Sequence, residues 1–361
     1  GLLALLANTT ASNNVAVGLE ALTANTTGAN NVAVGKDALI ANTTGDGNVA
    51  VGIDALTSNT TTGGLVAVGA NALDANTTGL YNTAVGDQAL SSITTGERCT
   101  AVGRHSLENN TASHNTAVGM NSLEANTSGT RNTAIGTRSL GINLTGSDNT
   151  ALGNDALRVN TTGAANVALG SLALDANTTA HNNTAVGYNS LSDNTTGTRN
   201  TAVGTYTLDS NTTVNDNTAV GYAALTSITT ANESTAIGSE AGFANTTGDR
   251  LTAVGYYAGR ANTTGVFNTC VGAYALPANT TGQKNVAMGR NALRYNTSGS
   301  TNTALGEQSL ASNTTASNNV GIGHYSLQQN TTGTQNVAVG TFALDANTTA
   351  NGNTAVGYGV L

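Results

Sequence analysis

Apolar residues recur along this chain with neither the period of a helix nor the alternation of a long strand, but every seventeen residues. Each repeat reads close to N-T-A-V-G-x-x-A-L-x-A-N-T-T-G-x-x. With the glycine of A-V-G numbered position 0, it falls at Gly1, Gly18, Gly35, Gly52, Gly69, Gly86 and Gly103, then at every seventeenth residue from Gly119 to Gly357; only the step from Gly103 to Gly119 is sixteen. Positions 13 to 16 carry Asn, then Thr or Val, then Ala, then Val, Ile, Leu or Met, which predicts a short strand closed by a turn glycine. Positions 3–4 (Ala or Ser, then Leu) and 7–9 (Asn-Thr-Thr) predict one or two further short strands. Recurrent glycine with β-branched residues between leaves no stretch long enough for a stable helix, and so short a period holds no helix pair. The expectation is an all-β, parallel β-solenoid (β-roll) with one 17-residue coil per repeat, about 21 coils in a single uninterrupted array over residues 1–361. At the inter-strand spacing of about 4.8 Å this predicts a rod of roughly 100 Å. The array begins and ends inside a repeat without a polar capping coil, so it reads as a window on a longer filament.

Charge sharpens the pattern. The 12 Lys and Arg and 20 Asp and Glu all fall on positions 1, 2, 5, 6, 11 and 12, which are therefore expected to face water. Leucine at position 4 and the valines at position 16, such as Val17, Val34 and Val51, are expected to build the core. Position 15 is Ala throughout except Cys270 and Gly321. If position 16 points inward, position 15 points out, and a solvent face would not be restricted to such small, uncharged residues. The alanine column, including Ala16, Ala33, Ala50, Ala185, Ala202 and Ala219, is therefore expected to pack against another chain, making the protein a homo-oligomer.

Asparagine fills position 7 in nineteen of twenty-one coils and position 13 in seventeen. One reading stacks these side chains coil over coil as internal ladders. The other takes the Asn-x-Thr/Ser at position 7, as at Asn25, Asn42, Asn76 and Asn177, for N-glycosylation sites. Replacement by Ile93 and Ile228 at position 7, and by Leu65 and Leu251 at position 13, favours the interior.

Composition removes several function classes. A net charge of -8 with dispersed cations disfavours nucleic acid, and no apolar stretch approaches the roughly 20 residues of a membrane span. The four histidines, His105, His114, His181 and His324, lie on exposed positions in separate coils, and no metal or cofactor site is expected. Acidic columns at Glu20, Asp37 and Asp54, and at Glu108 and Glu124, read as solvated strips, because no long loop surrounds them as in catalytic solenoids. Cys99 and Cys270 lie ten coils apart, too far to pair, and read as small buried residues. Threonines at positions 8 and 9 raise the possibility of an ordered-water, ice-binding face, although two adjacent threonines place only one column outward. All ten Tyr and three Phe occupy water-facing positions; Tyr188, Tyr206, Tyr222, Tyr256, Tyr257 and Tyr274 are candidates for stacking on sugars or on a neighbouring fibre.

The segment Asn183-Thr184-Ala185-Val186-Gly187-Tyr188-Asn189-Ser190-Leu191 resembles the head repeat of trimeric autotransporter adhesins, N-S-V-A-I-G-x-x-S-x-A, and repeats of phage-type tail fibres. The resemblance recurs along the whole chain. It implies a left-handed β-roll, three rolls side by side, and a rigid extracellular, cell-surface or virion fibre that binds cells, matrix or glycans. The chain departs from that family in its longer coil, with N-T-T-G added. The expected function is thus a non-enzymatic structural and adhesive fibre whose partners are its own copies and a cell-surface or glycan ligand. An ice-binding solenoid or a glycan-degrading tail spike is the alternative.

Overall fold

A computed structural model describes residues 1–361 and contains twenty-one three-residue strands and no helix; accordingly no helix is long and apolar enough to cross a membrane. Every strand occupies positions 14 to 16. Contacts group the chain into two units, Gly1–His181 and Asn182–Leu361. The first holds the strands from Val15–Val17 to Val167–Leu169, the second those from Thr184–Val186 to Thr354–Val356. Each unit is a parallel β-solenoid of about 17 residues per coil. Neighbouring strands pair in register, Ala33 beside Ala50 and Ala202 beside Ala219. The sixteen-residue coil keeps that register, with Ala101 opposite Ala117, so its deletion is absorbed in a turn.

The extra strands expected at positions 3–4 and 7–9 do not form. Positions 2, 4 and 12 adopt left-handed backbone, as at Glu20 (φ 56°), Leu22 (φ 55°) and Asn30 (φ 59°), and a strand cannot run through such reversals. The turns are nonetheless laddered to the next coil: Leu22 N–H donates to Ala38 O at 2.9 Å and Thr26 N–H to Thr43 O at 2.9 Å. A left-handed leucine costs on the order of 1 kcal/mol, so packing and ladder bonds must hold each corner in place.

The inside and outside of the strand are the reverse of the sequence expectation. Ala33, Ala50, Ala185, Ala202 and Ala219 are 0% exposed within the chain itself, and Ala16 is half-buried. Val17 at position 16 is 56% exposed, and Val34 and Val51 are half-exposed. The reason is steric. A Cβ at Gly321, on position 15, would lie 2.7 and 2.9 Å from the hydroxyls of Ser309 and Ser326 and 3.3 Å from Leu310 Cγ. Position 15 therefore faces positions 3 and 4 across a coil so thin that a methyl group fills the gap. The alanine column is the chain's own core and is not available to another chain.

Positions 3, 4, 7, 13 and 15 make up that core. Leu22, Leu39 and Leu56 are fully buried, each contributing about 1.5–3 kcal/mol. Two fully buried asparagines per coil would cancel much of this unless satisfied, and they are. At position 7, Asn42 Nδ2 donates to Asn25 Oδ1 (3.0 Å) and to Gly45 O (3.1 Å), and Asn59 Nδ2 donates to Asn42 Oδ1 (3.1 Å). At position 13, Asn48 N–H donates to Asn31 Oδ1 (2.9 Å), while Asn31 Nδ2 donates to the same Gly45 O (2.8 Å). The position-10 carbonyl thus joins two asparagine columns.

Exceptions compensate one another. Gly242 and Gly259 replace the core leucine, and the space is taken from the far side: a Cβ on Gly242 would lie 2.9 Å from Leu251 Cδ2, and one on Gly259 would lie 3.0 Å from Cys270 Sγ and 3.5 Å from Leu251 Cδ1. One leucine moved to position 13 and one thiol on position 15 refill two coils. Ile93 likewise shares its coil with Cys99, so both asparagines of that coil are absent together.

Position 0 admits only glycine. A Cβ on Gly52 (φ +143°) would sit 2.2 Å from Gly69 O, whereas Gly47 (φ +67°) on position 12 has nothing within 4 Å. Gly52→Ala is expected to destabilise by on the order of 3 kcal/mol or more and Gly47→Ala by only about 1 kcal/mol, as read by chemical denaturation. A second pair tests the ladder. Asn42→Ile should cost about 2 kcal/mol through lost hydrogen bonds, and Asn42→Asp at least twice that at neutral pH, because its carboxylate would face Asn25 Oδ1 and Gly45 O. Burial would raise the folded-state pKa of this aspartate above its unfolded value of about 3.9. The excess over Asn42→Ile should therefore vanish below about pH 4 and grow as the pH rises toward that raised pKa; equal losses at pH 3.5 and 7.5 would refute the ladder assignment.

Candidate functional site

Positions 1, 2 and 5 form one edge of the coil, because the left-handed residue at position 4 folds position 5 back beside position 2. His105 Nδ1 thus meets Glu108 Oε2 at 2.7 Å, and Asn121 Nδ2 donates to Glu124 Oε2 at 2.5 Å. In-register stacking then sets the same positions of successive coils about 4.8 Å apart. This edge carries most of the aromatic residues, and the chain carries them unevenly: nine of ten tyrosines and all three phenylalanines lie in residues 182–361.

The six tyrosines singled out from the sequence fall into two groups in contact. Tyr188 meets Tyr206 edge-to-face with centroids 5.6 Å apart, and Tyr206 meets Tyr222 likewise at 6.3 Å. Tyr256 and Tyr257 stack at 4.0 Å, and Tyr274 sits edge-on to both at 5.3 and 5.4 Å. A third group, missed by the sequence reading, joins His324, Tyr325, Phe342 and Tyr358.

The central group has charged neighbours. Arg260 lies over Tyr257 (4.7 Å) and Phe243 (5.5 Å) and pairs with Glu240 at 2.6 Å. The Tyr257 hydroxyl donates to the other Glu240 oxygen at 3.4 Å. Arg294 lies 5.9 Å from Tyr274 and 5.3 Å from Tyr295 and makes no ion pair. The hydrogen bond with Tyr257 is the main cause holding the Tyr256 phenol above its ordinary pKa. Phe243, Arg260 and Arg294 were not singled out because their approach to positions 1 and 2 depends on the turn at position 4, which the repeat alone does not reveal.

The other candidates are engaged elsewhere. Lys36 pairs with Asp37 at 2.6 Å beside Glu20 and Asp54. His105, expected on the surface, is only 14% exposed at its side chain. Asp155, also expected in water, is nearly buried between Arg138 (2.8 Å) and Arg158 (3.8 Å). Position 12 carries ion pairs from coil to coil: Arg131 grips Asp148 through Nε and Nη2 at 2.6 and 2.8 Å, holding that carboxyl below its usual pKa. Exposed as they are, such pairs add little stability. Both cysteines are free and buried; burial raises the Cys99 thiol and pushes that of Cys270 up to about 12, so neither is a reactive thiolate at neutral pH. Position-8 hydroxyls are consumed by the ladder, Thr26 Oγ1 donating to Thr43 O at 3.1 Å, while Thr27 and Thr44 at position 9 face solvent.

The glycosylation reading is overturned. Asn25, Asn42, Asn76 and Asn177 are all 0% exposed, and their amide nitrogens are occupied, that of Asn177 by Asn160 Oδ1 at 2.8 Å. No protein-family model matches the chain, and no curated protein matches its sequence.

Folded protein exposed to oligosaccharyltransferase is accordingly expected to yield the Asn25 peptide at its unmodified mass. A glycan on that peptide in material that still gives a β-rich spectrum would contradict the buried ladder.

Proposed function

We propose that this chain is part of an extracellular structural and adhesive fibre whose copies associate side by side through the outer face of the strands. One observation carries the reading. Position 16 is Val, Ile, Leu or Met in every coil, yet it points to solvent, with Val85 36% and Leu152 47% exposed. Position 14 beside it is only Thr or Val. Two uncharged, largely aliphatic columns therefore run along each unit, bordered by the charged positions 12 and 1.

A second copy of the same chain is the occupant that fits. Its columns repeat at the same rise, so every coil meets an equivalent coil without loss of register. Two half-exposed side chains from each of ten coils amount to on the order of 1,000 Å², comparable to the roughly 800 Å² per partner of a stable interface. The resemblance to trimeric adhesin heads supports three copies around this face and a surface-exposed location. The aromatic edge begins at position 1, on the border of these columns, and its positions 2 and 5 stay open for attachment.

The same face supports the ice-binding alternative through its threonine–valine pairs. Ile135, Leu152, Met288 and Leu305 give it an uneven relief, which suits interdigitating side chains better than a flat water lattice.

Light scattering should find an elongated oligomer, and Ile135→Lys combined with Leu152→Lys should shift it to monomer with an unchanged circular dichroism spectrum. A native chain that stays monomeric at micromolar concentration would sink the reading, and thermal hysteresis by that monomer would replace it with the ice-binding one.

A further inference from the structure

We infer that the aromatic group around Tyr256, Tyr257 and Tyr274, with Arg294, is a binding site for an acidic sugar, a pyranose ring bearing a carboxylate. The inference rests on the attachment reading above and names its ligand class. Tyr256 is 45% exposed, so aromatic surface stays open where rings of adjacent coils meet, and Tyr295 beside Arg294 is 53% exposed. Stacked and edge-on rings at 4.0 to 5.4 Å make a firm, low-entropy platform of about the width of a sugar ring, and tyrosine adds hydroxyls that bond sugar hydroxyls.

Charge selects among the ligands such a platform accepts. The Glu240 carboxylate is already matched by Arg260 at 2.6 Å. Arg294 is unmatched and lies beside the rings of Tyr274 and Tyr295, leaving the group with one positive charge in excess on a chain of net charge -8. Two guanidinium groups repel a quaternary ammonium, which would otherwise suit an aromatic cluster. A nucleic acid strand, one phosphate per nucleotide, meets a chain with only 12 dispersed cations. A single carboxylate next to an apolar ring face satisfies both features of the site: the ring's C–H face stacks on tyrosine, and the carboxylate accepts a two-pronged hydrogen bond from Arg294.

Titration calorimetry with hexagalacturonate, its methyl ester and sialyllactose tests this. Binding of hexagalacturonate or sialyllactose is expected, at least tenfold weaker to the methyl ester. Binding of only one of the acids tells an internal uronate from a terminal acidic sugar. Tyr256→Ala and Arg294→Gln should each weaken binding tenfold or more. Tyr81→Ala, in the first unit, should not change it. No binding to either acid, equal binding to the ester, or unchanged affinity in both site variants would overturn the inference. Light scattering on the same samples separates the two proposals: an oligomer that binds neither acid fails only this one, and a monomer that binds fails only the fibre.

Discussion

The structure depends on one constraint, that each buried asparagine must find its partner on an equivalent asparagine one coil away. A primary amide has both a donor and an acceptor, so a column of them satisfies itself only when the spacing is constant and every coil presents the group at the same place. That requirement holds the period at seventeen residues and lets Gly45 O serve Asn42 and Asn31 together. It also explains the economy of the core. One leucine and two alanine-sized residues per coil bury too little apolar area to fix a unique arrangement by themselves, whereas misaligned amides would cost several kcal/mol per coil. Where the ladder breaks, the cost is visible: Asn59 Oδ1, in the same coil as Leu65, is buried without a partner.

The fold was legible in the sequence because its rule is periodic. Solenoid class, coil length, internal asparagines and, apart from Asp155, the location of the acidic and basic residues follow from sorting residues by position. What the period conceals is the direction of each side chain. Position 15 and position 16 must face opposite ways, but the pattern alone does not say which faces in, and size misled: the larger, aliphatic valine was placed in the core and the small alanine outside. The interior is too narrow for valine, as the tight surroundings of Gly321 illustrate. The same blindness hid the arginines that flank the tyrosines. Tyr257 and Arg260 are three residues apart on nominally exposed positions, and only the left-handed backbone at Gly259 (φ 57°) turns one over the other.

Departures from the repeat are informative because a register-locked coil cannot absorb them alone. Losing the leucine at Gly242 and Gly259 is tolerated where Leu251 and Cys270 fill the same space, a volume-conserving exchange spread over neighbouring coils. Ile93 with Cys99 removes both amides of one coil at once, so no half-satisfied rung is left in it. Such exchanges keep each coil nearly equal in stability to its neighbours, which a nearest-neighbour array requires if no weak link is to open first.

This equality divides the surface into two kinds. Positions 14 and 16 sit on the strand, where a charge would be planted in an otherwise uncharged double column, and they vary only among Thr, Val, Ile, Leu and Met. Positions 1, 2, 5, 6, 11 and 12 sit in turns whose backbone is laddered regardless of side chain, so they can change without disturbing the stack. Aromatic residues accumulate there and only in residues 182–361, apart from Tyr81. Cross-coil stacking contributes about 0.5–1.5 kcal/mol per ring pair, a gain open to every coil in either unit. Stability alone would therefore spread the tyrosines evenly between the units, and their concentration in residues 182–361 is a departure that packing does not account for.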